Sequence, residues 1–250
     1  LSKWRLLSSS FSLFILAMKK LILFGILFIA LISYVSAQTQ WVQTSTPPGG
    51  SVWALEVIGT NIFAGATNGG VYFSNDDGDT WIQRNGAFPD MEVRSLVANG
   101  TDIYAGTQPD GGILLSTDNG INWTDVTPAG MPPSPVMSLA VDSNNIYAGT
   151  DGDGIFVSPL VGISSTSWIP FNTGLTNQVI RSLKIDGTTI YAGTYGDGVW
   201  VSSTTIPNWS LTSSTMVGSS DYIQALEVSD SAIFAGNISG LPVLYRSINN

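Results

Sequence analysis

Five copies of one short sequence, spaced almost evenly, constrain the fold of this chain more than any other feature. Each copy reads Ile, then Phe or Tyr, then Ala and Gly, and the copies run over residues 62–66, 103–107, 146–150, 190–194 and 233–237. The repeat glycines, Gly65, Gly106, Gly149, Gly193 and Gly236, are separated by 41, 43, 44 and 43 residues. A period of this length is typical of architectures in which every repeat is one supersecondary unit.

The second repeat divides into four short segments that have the alternation of β-strands. Residues 93–98 alternate polar and apolar side chains, and residues 102–107, 112–116 and 123–127 follow after turns rich in Gly, Asn and Asp. A repeat leucine precedes each repeat isoleucine by seven residues, at Leu55, Leu96, Leu139, Leu183 and Leu226. Helical repeats would not keep this alternation in register. We therefore predict an all-β fold, a β-propeller of at least five four-stranded blades.

The two ends of the repeat region complement each other. Residues 41–47 resemble the fourth segment of the second repeat, whereas the fifth repeat ends after its third segment, residues 243–247. We predict that this N-terminal strand closes the last blade, which removes an open sheet edge. A parent of six to eight blades, truncated here at its C-terminus, would use the same strand on its own last blade, so both alternatives stay open.

The residues before position 38 have the features of a targeting sequence. Lys19 and Lys20 precede an apolar run, and residues 35–37 (Val, Ser, Ala) supply the small residues that a signal peptidase recognises. We interpret residues 1–17 as untranslated upstream sequence, 18–37 as a signal peptide and 38–250 as the propeller, secreted to the extracellular space or the periplasm. An N-terminal membrane anchor is the alternative, because residues 11–18 extend the apolar run.

The composition excludes several kinds of chemistry and partner. The chain has no Cys and no His, so disulfides, thiolate metal sites and Ser-His-Asp triads are excluded. After residue 37, five basic residues stand against eighteen carboxylates, a formal net charge of −13. Because such a chain repels phosphates, we expect neither nucleic acid nor, after signal cleavage, a membrane as a partner. We also expect no metal, no cofactor and a monomeric protein.

A second motif, S-x-D-x-G-x-x-W, joins the third and fourth segments of two repeats. Its residues are Ser74, Asp76, Gly78 and Trp81 in the first repeat and Ser116, Asp118, Gly120 and Trp123 in the second. In such a turn the Asp accepts backbone N–H groups, the Gly adopts a positive φ and the Trp packs its ring beside the next strand. Degenerate versions cover residues 158–168 and 202–209.

This motif resembles the Asp-box, or BNR repeat, of sialidases, sortilin-type receptors, two-propeller xyloglucan-cleaving glycosidases and photosystem II assembly factors. The resemblance implies a propeller and a structural role for the eight motif residues. A sialidase would also need an arginine triad with a Tyr-Glu pair, whereas the few arginines of this chain are scattered over the repeats. The two-propeller glycosidases place paired carboxylates between their propellers, and one propeller of this length supplies only half of such a cleft. We therefore predict a non-catalytic binding module without catalytic residues. The alternative is a fragment of such a glycoside hydrolase.

The ligand is expected on the face opposite to these turns, where the first strands of a propeller begin. The residue two positions before each repeat leucine lies there, and its type varies among the repeats, with arginine in two of them: Trp53, Arg94, Met137, Arg181 and Gln224. Together with Tyr195 and Tyr222, these are the predicted ligand-binding residues. Their mixture of rings, guanidinium groups and amides suits a glycan or a protein or peptide ligand.

Several of these polar residues have a structural alternative. Arg94 and Arg181 could pair with Glu92 and Asp186 instead of binding a ligand. Three aspartates each lie four residues after a repeat glycine, and we expect them to form hairpin turns rather than to act in catalysis or metal binding: Asp110, Asp153 and Asp197. Residues 151–154 lack the spaced ligands and the distal Glu of a calcium loop.

Overall fold

All secondary structure in the described part of the chain is antiparallel β-sheet. The computed structural model describes residues 43–45, 47–48, 50–88, 92–109, 111–212, 221–229, 232–238 and 243–247. The chain divides into two compact units, Leu1–Gln43 and Thr44–Asn250, and every described strand lies in the second. The predicted upstream segment and signal peptide lie outside the described residues. Within those residues, no helix has the length and apolarity that crossing a membrane requires.

The described strands form five consecutive units, the blades, in which neighbours in sequence pair with each other. Blade one contains β1 (Val52–Ile58), β2 (Asn61–Ala66), β3 (Gly70–Ser74) and β4 (Ile82–Gln83). Blade two contains β5 (Glu92–Asn99), β6 (Asp102–Gln108), β7 (Gly112–Ser116) and β8 (Thr124–Asp125). Blade three contains β9 (Val136–Val141), β10 (Asn145–Thr150), β11 (Ile155–Pro159) and β12 (Ile169–Pro170). Blade four contains β13 (Ile180–Asp186), β14 (Thr189–Gly196), β15 (Val199–Ser203) and β16 (Ser210–Leu211), and blade five contains β17 (Asp221–Ser229), β18 (Ala232–Asn237) and β19 (Val243–Ser247).

This architecture confirms the predicted all-β propeller. The four segments predicted in the second repeat correspond to β5–β8, although the fourth strand is only two residues long. The first strand of each blade is its inner strand, and the inner strands β1, β5, β9, β13 and β17 pack against one another in that order. The sequence period is therefore the distance along the chain from one blade to the next.

Glycine is required at the repeat positions where the next inner strand packs directly against the backbone. A Cβ on Gly65 would lie 2.5 Å from Val93 Cγ1, and a Cβ on Gly149 would lie 2.6 Å from Ile180 Cγ2. Val136 and Ile223 occupy the same position against Gly106 and Gly193, and all four β-branched side chains are fully buried. Among the described residues, each of these four side chains thus fills the hole that a glycine leaves in the preceding blade. The sequence predicts that another backbone or a large ring approaches these glycines. The prediction of a ring is wrong, because the neighbouring side chain is β-branched.

The aromatic residues of the repeats fill the space between blades. Phe63, Tyr104 and Tyr147 are at most 1% exposed, and each belongs to a core cluster that spans two neighbouring blades. Phe63 also packs against Phe73 with 5.3 Å between ring centroids. The core is therefore a series of layers between sheets, and burial of these rings stabilises the order of the blades.

The S-x-D-x-G-x-x-W turns are closed by the hydrogen bonds that their residue types predict. Asp76 Oδ1 accepts the Thr80 N–H at 3.0 Å, and Asp118 Oδ1 accepts the Asn122 N–H at 2.8 Å. Ser74 Oγ accepts the Gly78 N–H at 2.9 Å. Hydrogen bonds from the side chain and the backbone N–H of Thr80 lower the pKa of Asp76 to about 2, and hydrogen bonds from Asn122 likewise lower the pKa of Asp118.

The tryptophans at the ends of these turns link each blade to the blade before it. Trp123 Nε1 donates to the carbonyl oxygen of Arg84 at 2.9 Å, Trp168 Nε1 to that of Val126 at 2.8 Å and Trp209 Nε1 to that of Phe171 at 2.7 Å. The three indoles are at most 8% exposed. Trp168 and Trp209 keep this role although their turns are degenerate, so the ring rather than the Asp is the constant part of the link.

The described part of the predicted closing strand lies beside blade one. Ser45 Oγ donates to the carbonyl oxygen of Asp79 at 2.6 Å, and Thr44 packs beside Gly78 as Arg84 packs beside Gly120 of the next blade. Thr44 therefore occupies the place of a fourth strand that precedes blade one. Trp41, Val42 and Thr46 lie outside the described residues, so pairing of this strand with the last blade stays a prediction.

The glycine contact predicts opposite effects for one substitution at two equivalent positions. Gly149→Ala places a Cβ within 2.6 Å of Ile180 and should lower the free energy of unfolding by about 1–3 kcal/mol. The control is Gly236→Ala, whose Cβ would meet only Ala225 among the described residues, its Cβ at 3.6 Å and its carbonyl oxygen at 4.0 Å. That change should be neutral or stabilise by up to about 1 kcal/mol, because alanine reduces the entropy of the unfolded chain. Chemical denaturation of both variants tests this, and equal destabilisation would contradict it.

The turn aspartates predict a loss of stability in acid. Because the folded state holds the pKa of Asp76 near 2, below its unfolded value of 3.8, the stabilisation from Asp76 is complete above that unfolded value and disappears as the pH falls through about 2. The pKa of Asp118 is lowered as well, so its contribution is lost in the same direction. Asp76→Asn combined with Asp118→Asn should therefore differ most from the parent at neutral pH, and the difference should narrow between pH 4 and 2. Asp77→Asn is the control, since Asn119 occupies that position in the second turn. A difference that does not change with pH in thermal melts would refute the assignment.

Candidate functional site

Every inner strand contains a β-bulge at the same place. In blade two Val93 pairs with Thr107 and Ser95 pairs with Gly106, so Arg94 is an extra residue without a partner in the ladder. The same shift leaves one extra residue in each of the other blades: Trp53, Met137, Arg181 and Gln224. A bulge turns the extra side chain away from the regular pleat and is common beside binding sites. These five residues are called the bulge ring below.

The bulge ring lines one cavity of about 490 Å³. All five bulge residues contribute to its wall, together with four residues from the ends of the second strands: Gln108, Asp151, Tyr195 and Ile238. Each of these four lies two positions after a repeat glycine. The volume is in the range of sites for small molecules or for a few residues of a polymer. The cavity therefore receives two side chains from each of blades two to five and Trp53 from blade one.

Trp53 and Arg94 form one wall of the cavity. The Arg94 guanidinium lies over the Trp53 ring, 4.1 Å from the ring centre, and pairs with Glu92 at 3.0 Å. Trp53 Nε1 donates to Thr67 Oγ1 at 2.9 Å, which holds the orientation of the indole. Half of the Trp53 side chain is nevertheless exposed, at 50%. The wall presents an apolar ring beside a charge that already has a partner.

Arg181 and Asp151 form a second ion pair across two neighbouring blades. Arg181 Nη2 lies 3.1 Å from Asp151 Oδ1, and the guanidinium is 5.1 Å from the centre of the Tyr195 ring. Both side chains are more than two-thirds buried. Of the two ion pairs considered from sequence, Arg94 with Glu92 is correct and Arg181 with Asp186 is wrong. Asp151 is preferred because the bulge turns Arg181 toward the cavity rather than along its own strand.

Tyr195 contributes an aromatic ring to the cavity wall, and Tyr222 stacks on it. Their rings stack with 3.7 Å between centroids and 5° between planes. The stack arises because Tyr195 and Tyr222 are direct partners in a short pairing between β14 and β17, which joins blades four and five. A hydrogen bond with the Tyr195 side chain raises the pKa of Tyr222, so the Tyr222 phenol stays neutral near pH 7. Tyr195 remains 42% exposed.

The structure brings six of the seven sequence-predicted residues to the cavity wall, and Tyr222 stacks on one of them. Their role in binding a ligand stays a prediction. Sequence reasoning did not select Gln108 or Ile238, and it considered Asp151 only as part of a turn. The signal that identifies them is simple: the residue two positions after the repeat glycine differs in every repeat, as Thr67, Gln108, Asp151, Tyr195 and Ile238.

The remaining acidic candidates lie in turns. The N–H groups of Asp153 and Asp197 donate to Thr150 Oγ1 and Thr194 Oγ1, and the Asp153 carboxylate accepts a hydrogen bond from Ser134. Asp110 lies outside the described residues. Within the residues that are described, no three of the carboxylates come close enough to hold a metal ion.

Comparison with known proteins gives a fold but no family. No protein-family model matches the chain, and no curated protein matches it. Among solved structures, the chain is similar to the extracellular domain of BT4673 from B. thetaiotaomicron, with 20% identity, a TM-score of 0.63, and coverage of 82% of this chain and 28% of that one. It is also similar to YCF48 bound to D1 peptide, with 16% identity, a TM-score of 0.61, and coverage of 81% and 66%.

A third similar structure is the GH74 enzyme of Niastella koreensis, with 17% identity, a TM-score of 0.56, and coverage of 82% of this chain and 31% of that one. The chain thus spans less than two thirds of the length of each of these three proteins. All three are less than 25% identical to it, so the similarity establishes the propeller fold and nothing about activity.

The bulge geometry predicts different stability effects for two adjacent residues. Ile180→Ala should cost about 2–5 kcal/mol, because Ile180 is fully buried against Gly149. Arg181→Ala should cost less, about 1–2 kcal/mol, because the Arg181 side chain lines the open cavity and Asp151 stays partly exposed when its partner is lost. Denaturant titrations of the two variants measure the contrast. Comparable losses would show that the bulge residue supports the fold rather than a site.

Proposed function

We propose that this protein is a non-catalytic binding module that holds an uncharged glycan against the bulge ring. The observation that supports this most is the contrast between constant and variable positions. The glycines and their β-branched partners repeat because they hold the blades together. The bulge positions carry Trp, Arg, Met, Arg and Gln, although their backbone geometry is equivalent. Variation at convergent positions of a regular frame is what asymmetric recognition requires.

The charges of the cavity favour an uncharged ligand. Arg94 and Arg181 are each paired with a carboxylate, at 3.0 and 3.1 Å. An anionic ligand would have to displace Glu92 or Asp151 and would approach a chain whose carboxylates outnumber its basic residues. A neutral ligand leaves both ion pairs intact and can use their remaining N–H and oxygen atoms. These atoms are held in fixed positions, so binding orders few additional groups.

The aromatic surfaces favour a sugar ring. Trp53 and Tyr195 expose 50% and 42% of their surface beside paired polar groups. A pyranose has apolar C–H faces that pack on such rings and hydroxyl groups at its rim that bond to guanidinium, amide and carboxylate groups. Arg94, Gln108, Asp151 and Gln224 provide these groups in the cavity wall. Aromatic platforms with a few convergent polar atoms are the usual composition of small-molecule sites.

A peptide is the second candidate ligand. One structural neighbour of this chain, YCF48, was solved bound to D1 peptide, so a propeller of this kind can hold a peptide. A peptide would also find aromatic and amide groups in the cavity. The paired state of both arginines favours the glycan over an acidic peptide, because the charge of each guanidinium is already balanced by a carboxylate.

Glycoside hydrolysis is supported less well, although a GH74 enzyme is among the structural neighbours. Most glycosidases use two carboxyl groups about 5–9.5 Å apart, one on each side of the scissile bond. Among the described residues that line the cavity, Asp151 is the one carboxylate, and it pairs with Arg181. A hydrolase would therefore need a second carboxylate from another domain.

Two further parts of the proposal concern export of the protein and the structural role of the turns. The charged and apolar pattern of residues 18–37 supports export to the extracellular space or the periplasm. The hydrogen bonds of Asp76 and Asp118 support the view that the two turns are Asp-boxes with a structural role. Both turns join third and fourth strands, whereas the cavity lies where the first strands begin and the second strands end. Substitutions in the turns should therefore not alter binding.

Binding experiments test the proposal directly. Arrays of neutral oligosaccharides, acidic oligosaccharides and peptides should give binding to the neutral set. In titration calorimetry, Trp53→Ala and Tyr195→Ala should each weaken the affinity about tenfold or more, which corresponds to about 1.4 kcal/mol. Ile169→Ala is the matched control, because this residue is 61% exposed on β12 and does not line the cavity.

The possible outcomes separate the candidates. Retention of affinity in both aromatic variants would place the ligand elsewhere, and binding to acidic oligosaccharides alone would overturn the charge argument. Binding to peptides alone would favour the second candidate. Release of reducing sugar from a bound neutral glycan would favour the hydrolase.

A further inference from the structure

Four side chains from blades three, four and five form one continuous stack beside the cavity. The ring of Tyr222 lies parallel to the ring of Tyr195, with 3.7 Å between their centroids. On the other face of Tyr195, the Arg181 guanidinium lies 5.1 Å from the ring centre, and its Nη2 is 3.1 Å from Asp151 Oδ1. Tyr222, Tyr195, Arg181 and Asp151 are called the stacked column below. Tyr195, Arg181 and Asp151 line the cavity, whereas Tyr222 lies behind them.

Tyr195 connects the two ends of the stacked column. One of its ring faces is covered by Tyr222 and the other by Arg181, and a hydrogen bond joins the Tyr195 and Tyr222 side chains. Tyr195 is nevertheless 42% exposed. The exposed part is therefore the rim of the ring, while its two faces hold the guanidinium in place.

The backbone fixes the members of the column as well. Tyr195 and Tyr222 are direct partners in the pairing of β14 with β17, and the Tyr195 N–H donates to the carbonyl oxygen of Val179 at 3.0 Å. Asp151 forms a bridge with Val179, and its N–H donates to the carbonyl oxygen of Pro135 at 3.0 Å. Because three blades hold the column in this way, a ligand would meet polar groups whose positions are already set.

The pair of Arg181 and Asp151 places a donor and an acceptor side by side in the cavity wall. Asp151 is the one carboxylate among the described residues that line the cavity, and the partner of the other arginine, Glu92, does not line it. Two hydroxyl groups on adjacent sugar carbons match this arrangement. One hydroxyl can donate to the carboxylate while its neighbour accepts from the guanidinium, so the ion pair stays intact and both new hydrogen bonds involve a charged group.

We propose that Arg181 and Asp151 bind two adjacent free hydroxyl groups of the glycan, and that Tyr222 is a positioning residue for this pair. The inference rests on the proposed function, because it requires a neutral glycan in the cavity. It narrows the ligand class to sugars with an unsubstituted vicinal diol. Tyr222 acts on the affinity without touching the glycan, through the ring of Tyr195 and the guanidinium of Arg181.

The first test changes the glycan. The probe is the neutral oligosaccharide that binds the parent most tightly in the array, compared by titration calorimetry with its monodeoxy forms. Loss of either hydroxyl of one adjacent pair should lower the affinity about tenfold or more, because a charged group then loses its partner. In the Arg181→Ala variant the same deoxy forms should lose much less, since part of the contact is already absent. Parent affinity for every deoxy form would overturn the proposal.

The second test changes the column at the residue that does not line the cavity. Tyr222→Ala should weaken binding of the same oligosaccharide about fivefold or more, whereas Tyr222→Phe keeps the stacked ring and should bind within about twofold of the parent. Val179→Ala is the matched control, because Val179 bridges to Asp151 from the equivalent position of blade four and has no ring on the column. Its affinity should equal that of the parent.

A double-mutant cycle separates positioning from a general loss of structure. If Tyr222 acts through Arg181, the Tyr222→Ala/Arg181→Ala variant should bind no more than about twofold more weakly than Arg181→Ala alone. Losses that add in full would show that Tyr222 acts elsewhere and would overturn its positioning role. Circular dichroism checks that each variant is folded. Tyr222→Leu, which keeps apolar volume without an aromatic ring, replaces Tyr222→Ala if that variant does not fold.

The outcomes distinguish this inference from the proposed function. Binding that is weakened in Trp53→Ala but unchanged in Tyr222→Ala and for all deoxy forms would support the proposed function and overturn the inference. An array in which no neutral oligosaccharide binds would overturn both.

Discussion

The contact between a glycine and a β-branched side chain is the interaction on which the rest of this structure depends. At four of the blade junctions, Val or Ile of one inner strand occupies the volume that a Cβ of the preceding blade would need. The contact brings neighbouring inner strands close together, which places aromatic rings such as Tyr104 and Tyr147 in closed layers between the sheets. A Cβ at one of these glycines would separate two blades and so disturb the cavity that they share.

The bulges follow from the same arrangement. A β-branched residue such as Val93 must face the preceding blade, and Ser95 must pair with Gly106 on the regular ladder. The extra residue between them has no place in the sheet and extends toward the cavity. Because its side chain makes no contact that the fold requires, the position tolerates tryptophan, arginine, methionine and glutamine alike. The frame is therefore constant and the site is variable, which is the arrangement expected where function lies on loops and strand ends of a rigid fold.

The sequence was sufficient to predict those features that depend on neighbours along the chain. The strand bounds 243–247 and 112–116 agree with β19 and β7, and the turn at Asp118 has the hydrogen bonds that its residue types predict. The bulge position was predicted as a variable site, because one residue differs at a fixed distance from each repeat leucine. The resemblance to Asp-box propellers added a fold expectation that the structural neighbours support.

Features that depend on two blades could not be predicted in this way. The pair between Arg181 and Asp151 joins residues thirty positions apart, and its alternative, Asp186, was closer in sequence. The stack of Tyr195 on Tyr222 depends on pairing between β14 and β17, whereas the equivalent bridge between blades three and four joins Asp151 to Val179 and brings no rings together.

The most direct test of the proposed site is a crystal structure of the chain with a bound neutral oligosaccharide. We expect a sugar ring packed on Trp53 or Tyr195, with its hydroxyl groups bonded to residues of the cavity wall and both arginine ion pairs intact. A sugar bound beside the Ser74–Trp81 or Ser116–Trp123 turn, with the bulge ring empty, would contradict the assignment of the binding face.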